Sequence, residues 1–201
     1  MKLICLQENL KRGLNIVGHA TSKNINLPIL NNILIKAQQG NIEFISTNLE
    51  IGVKHQVRGK IESEGEFTVD AKLITEYVNL LTSGEKVEIQ EKENELRVES
   101  GNYKTKIKGE SAKDYPLIPS INEENAYVCD FNELKKALAS VVFAVSNNDN
   151  RVELTGVLFT FNKKNLSLAA TDSYRLAEKN IKLKKGKKNN IAGRKKNAWT
   201  L

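Results

Sequence analysis

A long internal repeat constrains this chain more than any other feature. Slid by 124 positions, Leu3–Val53 lies on Tyr127–Ala177 without a gap, and thirteen of fifty-one pairs are identical. Unrelated sequences of average composition would share about three. The identities include Cys5/Cys129, Leu10/Leu134, Lys11/Lys135, Leu14/Leu138, Val17/Val141, Ala20/Ala144, Leu30/Leu154 and Thr47/Thr171. Repeat periods of about 20–50 residues make solenoids; a much longer one means two copies of a domain. The expected domains are 1–122 and 123–201.

Within the first copy the pattern is strand, helix, three strands, performed twice. A strand at Lys2–Leu6 precedes a helix from Glu8 to about Ser22, with Leu10, Leu14 and Val17 on one face and Lys11, Arg12 and Asn15 on the other. Pro28 forces extended geometry on Leu27 and starts a meander of strands at about Ile29–Ala37, Asn41–Ser46 and Glu50–Arg58. The second pass begins near Lys60 with a strand at Glu66–Val69. Asp70 caps a helix that runs to Leu81 and ends at Gly84, with Leu73, Ile74, Tyr77, Val78 and Leu81 on its apolar face. Three alternating strands follow, turning at Glu93-Asn94 and Gly101-Asn102. Two such amphipathic helices pair on one side of antiparallel sheets, an α+β architecture.

Asp114-Tyr115-Pro116-Leu117-Ile118-Pro119-Ser120 reads as a stiff extended connector. The second copy then supplies a strand at Tyr127–Asp130, a helix at Phe131–Val145, a loop at Ser146–Asn150 and the meander again. Asn189–Ile191 fits the strand before that copy's second helix, but 192–201 does not continue as an amphipathic helix. A half-domain with an uncovered sheet edge is the expectation.

Charge belongs to the tail. The chain has 31 basic and 24 acidic residues, a net +7. Eight of the basic residues stand from Lys182 onward, without an acid among them; the remainder carries 23 against 24, a net −1. The two cysteines fall on equivalent positions of separate copies and read as half-buried strand residues in a reducing compartment, the cytoplasm. Gln7 and Glu8 interrupt the N-terminal apolar run, so no leader is expected, nor any membrane association.

Enzymatic signals are missing from the sequence. It contains no P-loop, dinucleotide-binding glycine pattern or zinc spacing. His19 and His55 have no triad setting, and Asn147–Asn150 reads as a capped turn, not a calcium loop. No catalytic residue, metal or cofactor is expected.

Three passages resemble the bacterial DNA polymerase III beta subunit, the sliding clamp family. They are Asn26-Leu27-Pro28-Ile29-Leu30-Asn31-Asn32; Ser100-Gly101 with Ala112-Lys113-Asp114-Tyr115-Pro116; and Ala170-Thr171-Asp172-Ser173-Tyr174-Arg175-Leu176-Ala177. The resemblance implies a DNA-clamp fold of repeated β-α-β-β-β units, with sheets outside and paired helices on the inner face. It implies a processivity factor, an accessory subunit without catalysis, that encircles double-stranded DNA without reading its sequence. Two three-domain chains close such a ring head to tail, and a chain of this length is expected not to close one by itself.

On that resemblance Lys11, Arg12, Lys23, Lys135 and Lys136 face DNA. Leu154, Thr171, Ser173, Tyr174, Arg175 and Leu176 form one wall of a cleft for peptides of the polymerase III alpha subunit and the clamp loader. The family often has Gly-His where Ser173-Tyr174 stands here. Lys72, Ile74 and Tyr77 contribute to the dimer joint. Rival readings are a truncated remnant that forms no ring, and a small protein that binds nucleic acid through its lysine-rich tail.

Overall fold

The computed structural model describes residues 1–21, 27–118, 127–186 and 197–200. It divides into two compact units, Met1–Pro119 and Ser120–Leu201.

The first unit begins with β1 (Lys2–Leu6) and α1 (Gln7–Gly18). A 3-10 turn at Pro28–Asn31 leads to β2 (Asn32–Gln38), β3 (Asn41–Thr47), β4 (Gly52–Val57) and β5 (Gly59–Ser63). Then come β6 (Gly65–Asp70), α2 (Ala71–Leu80), β7 (Lys86–Lys92), β8 (Glu95–Ser100) and β9 (Tyr103–Glu110). The nine strands form one antiparallel sheet in the order β4-β3-β2-β6-β9-β8-β7-β1-β5.

Local chemistry sets the ends of these elements. The Asp70 carboxylate accepts from the Leu73 amide at 2.8 Å and caps α2. Glu93 and Asn94 both sit at positive φ, 57° and 61°, as a two-residue turn between twisted strands requires. Gln39 and Gly40 repeat the device between β2 and β3, at 50° and 77°.

The two halves of this unit complete each other. Each begins with a strand and a helix, and each first strand pairs with the first meander strand of the other half: β1 with β7, β6 with β2. The helix α1 packs on α2. These reciprocal pairings give the halves an approximate two-fold relation. Leu3, Leu10, Leu14, Phe44, Ile74, Val78 and Leu96 fill one core between sheet and helices. The strands β4-β3-β2-β6 join β9-β8-β7-β1-β5 into one sheet through Thr68↔Glu110 and Val69↔Gly109. A Cβ at Gly109 would collide with the Thr68 carbonyl oxygen and the Phe67 ring, so the strands meet there only because that residue has no side chain.

The second unit contains β10 (Tyr127–Val128), α3 (Phe131–Ala139), 3-10 turns at Val142–Ala144 and Asp149–Leu154, and β11 (Gly156–Phe161). It continues with β12 (Asn165–Thr171), β13 (Leu176–Lys182), β14 (Lys185–Gly186) and β15 (Asn197–Thr200). The strands α3 packs beneath run β13-β12-β11-β15, while β10 pairs with β14. Asp130 caps α3 by accepting from the amides of Asn132 and Glu133, and its other oxygen meets the Lys184 ammonium at 2.9 Å. The lysine first, then the amides, hold this carboxyl below the usual carboxylate range. The starts of β11, β12 and β13 follow those of β2, β3 and β4 at the repeat offset.

Several boundaries differ from expectation. The first meander strand begins at Asn32, since Pro28 opens a 3-10 turn. Its third strand begins at Gly52, after Leu49 at φ 74° reverses the chain. β5 was not anticipated. The helix α3 stops at Ala139, where the Ser140 hydroxyl donates back to the Lys136 carbonyl. The strand expected at Asn189–Ile191 lies outside the described residues. Among the described residues β11 pairs with β15, and β13 and β15 stand at the edges of that sheet. There Gly156 faces Thr200, six residues later than the repeat of the Asn32↔Asp70 pair would place it.

Candidate functional site

Cationic positions on the first helix of each unit recur at equivalent places. Lys11 and Arg12 of α1 and Lys135 and Lys136 of α3 are all exposed. The reason is helical geometry. Val17 and Val141 turn the opposite face into the core, together with Gly13 and Ala137, and so place these cations outside. Among the described residues no carboxylate lies within ion-pairing distance of any of the four. A shallow groove of about 510 Å³ runs between α1 and α2, lined by Glu8, Lys11, Arg12, Asn79 and Leu81 among others. Lys23 lies outside the described residues.

The second candidate is the corner between β12 and β13. Thr171 Oγ1 donates to the Arg175 carbonyl at 2.7 Å and accepts from the Ser173 amide at 3.2 Å. Asp172 Oδ1 accepts from the amides of Tyr174 and Arg175, each at 3.0 Å, and Oδ2 from Arg175 Nε at 2.9 Å. The Arg175 amide, then the Tyr174 amide, hold the Asp172 carboxyl below its usual range, with a smaller contribution from the guanidinium. Ser173 takes φ 78°.

The corner between β3 and β4 is built in the same way. Thr47 Oγ1 donates to the Ile51 carbonyl at 2.9 Å, Asn48 Oδ1 accepts from the amides of Glu50 and Ile51, and Leu49 takes φ 74°. What lies over the two corners differs. In the first unit the place of the absent Gly52 side chain is filled by Ile118, whose Cδ1 would lie 3.0 Å from an added Cβ. Tyr115 fastens that segment: it is buried, and its hydroxyl is directed at the carbonyls of Asn32 and Ile45.

In the second unit Leu176 stands at the equivalent of Gly52 and is 70% exposed, beside Tyr174 at 97%. Phe143 and Val152 are also exposed, and the Arg175 guanidinium lies 5.5 Å from the Phe143 ring centroid. Arg151 donates to the Ser173 hydroxyl at 3.1 Å, and Leu154 is half-buried. The sequence reading missed Phe143, Val152 and Arg151. A signal for the first two was present: across the repeat, Phe143 replaces His19 and Val152 replaces Pro28, as Leu176 replaces Gly52.

The candidates on α2 require one correction. Ile74 is fully buried in the unit's core and is unavailable to a partner. The helix turns Ile74 and Val78 inward, which leaves Leu73 and Leu80 as its exposed apolar residues. Lys72 is exposed and lies 3.8 Å from Glu76, and Tyr77 is half-buried. Metal-ligand clusters and helices long and apolar enough to cross a membrane are absent among the described residues.

Residues 1–119 match the family model of the DNA polymerase III beta subunit N-terminal domain, and residues 129–194 that of its central domain. The chain belongs to the DNA polymerase III beta subunit family. Its curated relatives are named beta sliding clamps. That of Bacillus subtilis is 30% identical over 192 residues, covering 91% of this chain and 50% of the relative. The one from Synechococcus elongatus is 28% identical over 179 residues, covering 88% and 48%. Solved structures of the family superpose closely. A beta subunit from Eubacterium rectale gives a TM-score of 0.85 at 30% identity, covering 93% of this chain and 51% of that one. The Bacillus subtilis clamp gives 0.85 at 29%, covering 92% and 50%. This beta-subunit chain therefore spans about half the length of the curated relatives it matches, and its α+β architecture is the clamp fold.

Proposed function

We propose that the chain forms the first domain (1–122) and part of the second (123–201) of a ring-forming sliding clamp. Such a clamp encircles duplex DNA and tethers the replicative polymerase in the cytoplasm, without catalysis of its own. The observation that carries this reading is the recurrence of exposed cations at equivalent positions, Lys11-Arg12 and Lys135-Lys136, without an ion pair among the described residues, in a chain of this family. Cations on helices that line a ring meet phosphates of any sequence, and salt weakens such contacts. The near-neutral balance outside the tail suits retention by topology, since the ring need not grip what it encloses.

The corner at Thr171–Leu176, together with Leu154, is the docking wall for peptides of the polymerase alpha subunit and the clamp loader. Its support is the exposed pair Tyr174 and Leu176, on a turn that the Thr171 and Asp172 side chains tie through hydrogen bonds to its backbone, with Phe143 and Val152 exposed on two 3-10 turns. Lys72 and Tyr77, joined by Leu73 and Leu80, form the first unit's share of the head-to-tail joint.

Surface plasmon resonance of the full chain against its cognate alpha subunit tests the docking wall. Leu176→Ala should weaken binding roughly tenfold, as loss of an exposed apolar anchor does. Unchanged binding would remove the corner from the interface. For the DNA-facing cations, replacing all four by Glu should leave affinity for linear duplex nearly unaltered, because a clamp retains DNA by enclosing it and not by gripping it. Tight, salt-sensitive binding to linear duplex that vanishes on trimming from Lys182 would assign the function to the tail instead.

A further inference from the structure

Gly52 opens β4 at the corner with β3, and its missing side chain leaves a seat that Ile118 fills. Three Ile118 carbons lie 3.0, 3.1 and 3.5 Å from where a Cβ of Gly52 would stand. Glycine weakens a strand and marks a close approach by another group. Here the approaching group belongs to the same unit, Met1–Pro119.

The segment that delivers Ile118 has the form of a bound peptide. It leaves a 3-10 turn at Ala112–Asp114 with Tyr115 at φ −74° and ψ 134°, near polyproline II geometry, and Pro116 keeps it extended. Three residues per turn bring Tyr115 and Ile118 to one side. Leu117 between them is 97% exposed. Proline-containing segments dock in apolar grooves through inward residues spaced in this way. The two inward residues are held unequally. Tyr115 is 5% exposed, and its hydroxyl donates to the Asn32 carbonyl at 3.2 Å. Ile118 is only half-buried, so it is the easier of the two to withdraw.

The turn beside the seat offers more apolar surface than Ile118 covers. Leu49 is 59% exposed and Ile51 40%. At the repeat offset the second corner has Ser173 and Arg175 in their places and Leu176 in place of Gly52. The second corner thus carries its own aliphatic side chain, while the first has a vacant position with apolar neighbours. This contrast lies in the residues of the two turns and not in what lies over them.

We propose that the first corner is a second peptide-docking surface, closed in cis. Ile118 is its displaceable plug, and Tyr115 is the fixed tether that keeps the plug at hand. A partner's extended segment takes the seat by presenting a branched aliphatic side chain to Gly52, and it gains the contacts with Leu49 and Ile51 that the plug leaves unused. A ligand on so short a tether competes at an effective concentration of order mM, which keeps free peptides off the corner. That the seat is a docking surface rests on the reading of the second corner as one, carried over through the repeat.

Amide chemical shifts of the full chain, titrated with a synthetic peptide of residues 113–120 up to about 5 mM, test the proposal; the range brackets the tether's effective concentration. In the native chain the Leu49, Ile51 and Gly52 amides should scarcely move. In Ile118→Gly they should shift and approach saturation, with an apparent dissociation constant at least about tenfold lower than in the native chain. Ile118→Ala, which keeps the backbone stiff, reads the same seat and should give a smaller gain. Adding Gly52→Leu to Ile118→Gly should abolish the response, because the new side chain fills the seat. Leu176→Ala should leave it intact. Amides that stay still in both Ile118 variants overturn the proposal. So does a native chain that responds as strongly, a response that survives Gly52→Leu, or one lost with Leu176→Ala. The two readings fail separately: alpha-subunit binding indifferent to Leu176→Ala removes the second corner, whereas a silent Ile118→Gly removes only the first.

Discussion

Leu10 and Leu134 are the same residue at the same place in two copies of one module, as are Leu14 and Leu138. In the first unit both positions are sealed from solvent; in the second both are half-buried. Cys5 and Cys129 differ in the same sense. Val17 and Val141, by contrast, are fully buried in both. The difference separates two kinds of core position. Val17 and Val141 turn toward their own meander, which both units possess. Leu10 and Leu14 also need the second half, with α2 and the strands after it. Residue identity selects which face is apolar, but the neighbouring half decides how much of that face leaves water.

The comparison can be broken most directly by truncating the shared leucines. Leu14→Ala should destabilise the first unit by about 3 kcal/mol, the usual cost of a cavity in a closed core. Leu138→Ala should cost about 1 kcal/mol, because a half-exposed site loses less transfer energy and leaves no sealed void. Hydrogen exchange resolved by unit measures both, and equal losses would show that the second core is as closed as the first.

A smaller effect is expected at the helix–sheet contact. Position 13 is glycine in the first unit, where an added Cβ would lie 2.7 Å from Val57 Cγ2 and 3.1 Å from Phe44. The repeat carries Ala137 there, fully buried. Gly13→Ala should therefore destabilise the first unit by about 1–3 kcal/mol through overpacking, less whatever helix propensity returns. An increase in melting temperature would show that α1 has room to move outward.

Alkaline pH sharpens the contrast next. Burial pushes the Cys5 thiol up to about 12 from 9.0 and the Tyr115 phenol up to about 12 from 10.0. In the unfolded chain both ionise earlier, so the folded state holds more protons above pH 9. Stability is complete below that point and falls as pH rises toward 12, by at most about 1.4 kcal/mol per pH unit per group. Urea titrations of the first unit at pH 8 and 10.5 should show the loss, and Cys5→Ala should reduce it. At neutral pH a maleimide should label the half-buried Cys129 well before the buried Cys5.

The smallest change concerns the twin corners. Asn48 performs with a neutral amide what Asp172 performs with a carboxylate. Asp172→Asn should leave amide exchange at Tyr174 and Arg175 nearly unaltered, whereas Asp172→Ala should speed it. In the native chain that protection should persist as pH falls through the ordinary carboxylate range, because the Asp172 carboxyl titrates lower. Rapid exchange in the Asn variant would show that the salt link to Arg175, and not the turn, holds the corner.

Much of this was readable from residue order. The offset that aligns Cys5 with Cys129 and Thr47 with Thr171 also aligns the strands that carry them. Asp70 and Asp130 occur where helices begin, and the Glu93-Asn94 turn falls between its strands. Reading failed where a choice depended on distant chain. The exposed Leu73 and the buried Ile74 are adjacent apolar residues of one helix, and only packing against α1 and the sheet decides which turns in. The corner residues Thr171–Leu176 were recognised as a motif, but Phe143 and Val152 join them from turns far back in the chain, out of reach of any local pattern.

Order along the chain, then, determined the duplication, the α+β class, the turn chemistry and the cations on the outer faces of α1 and α3. Those properties follow from periodicity and from interactions across a few residues. Tertiary structure alone decided that Ile118 covers one corner while Leu176 and Tyr174 stand open at the other, and that matched leucines are dry in one unit and wet in the next. Burial is set by what arrives from elsewhere to exclude water, and a side chain carries no record of its neighbour.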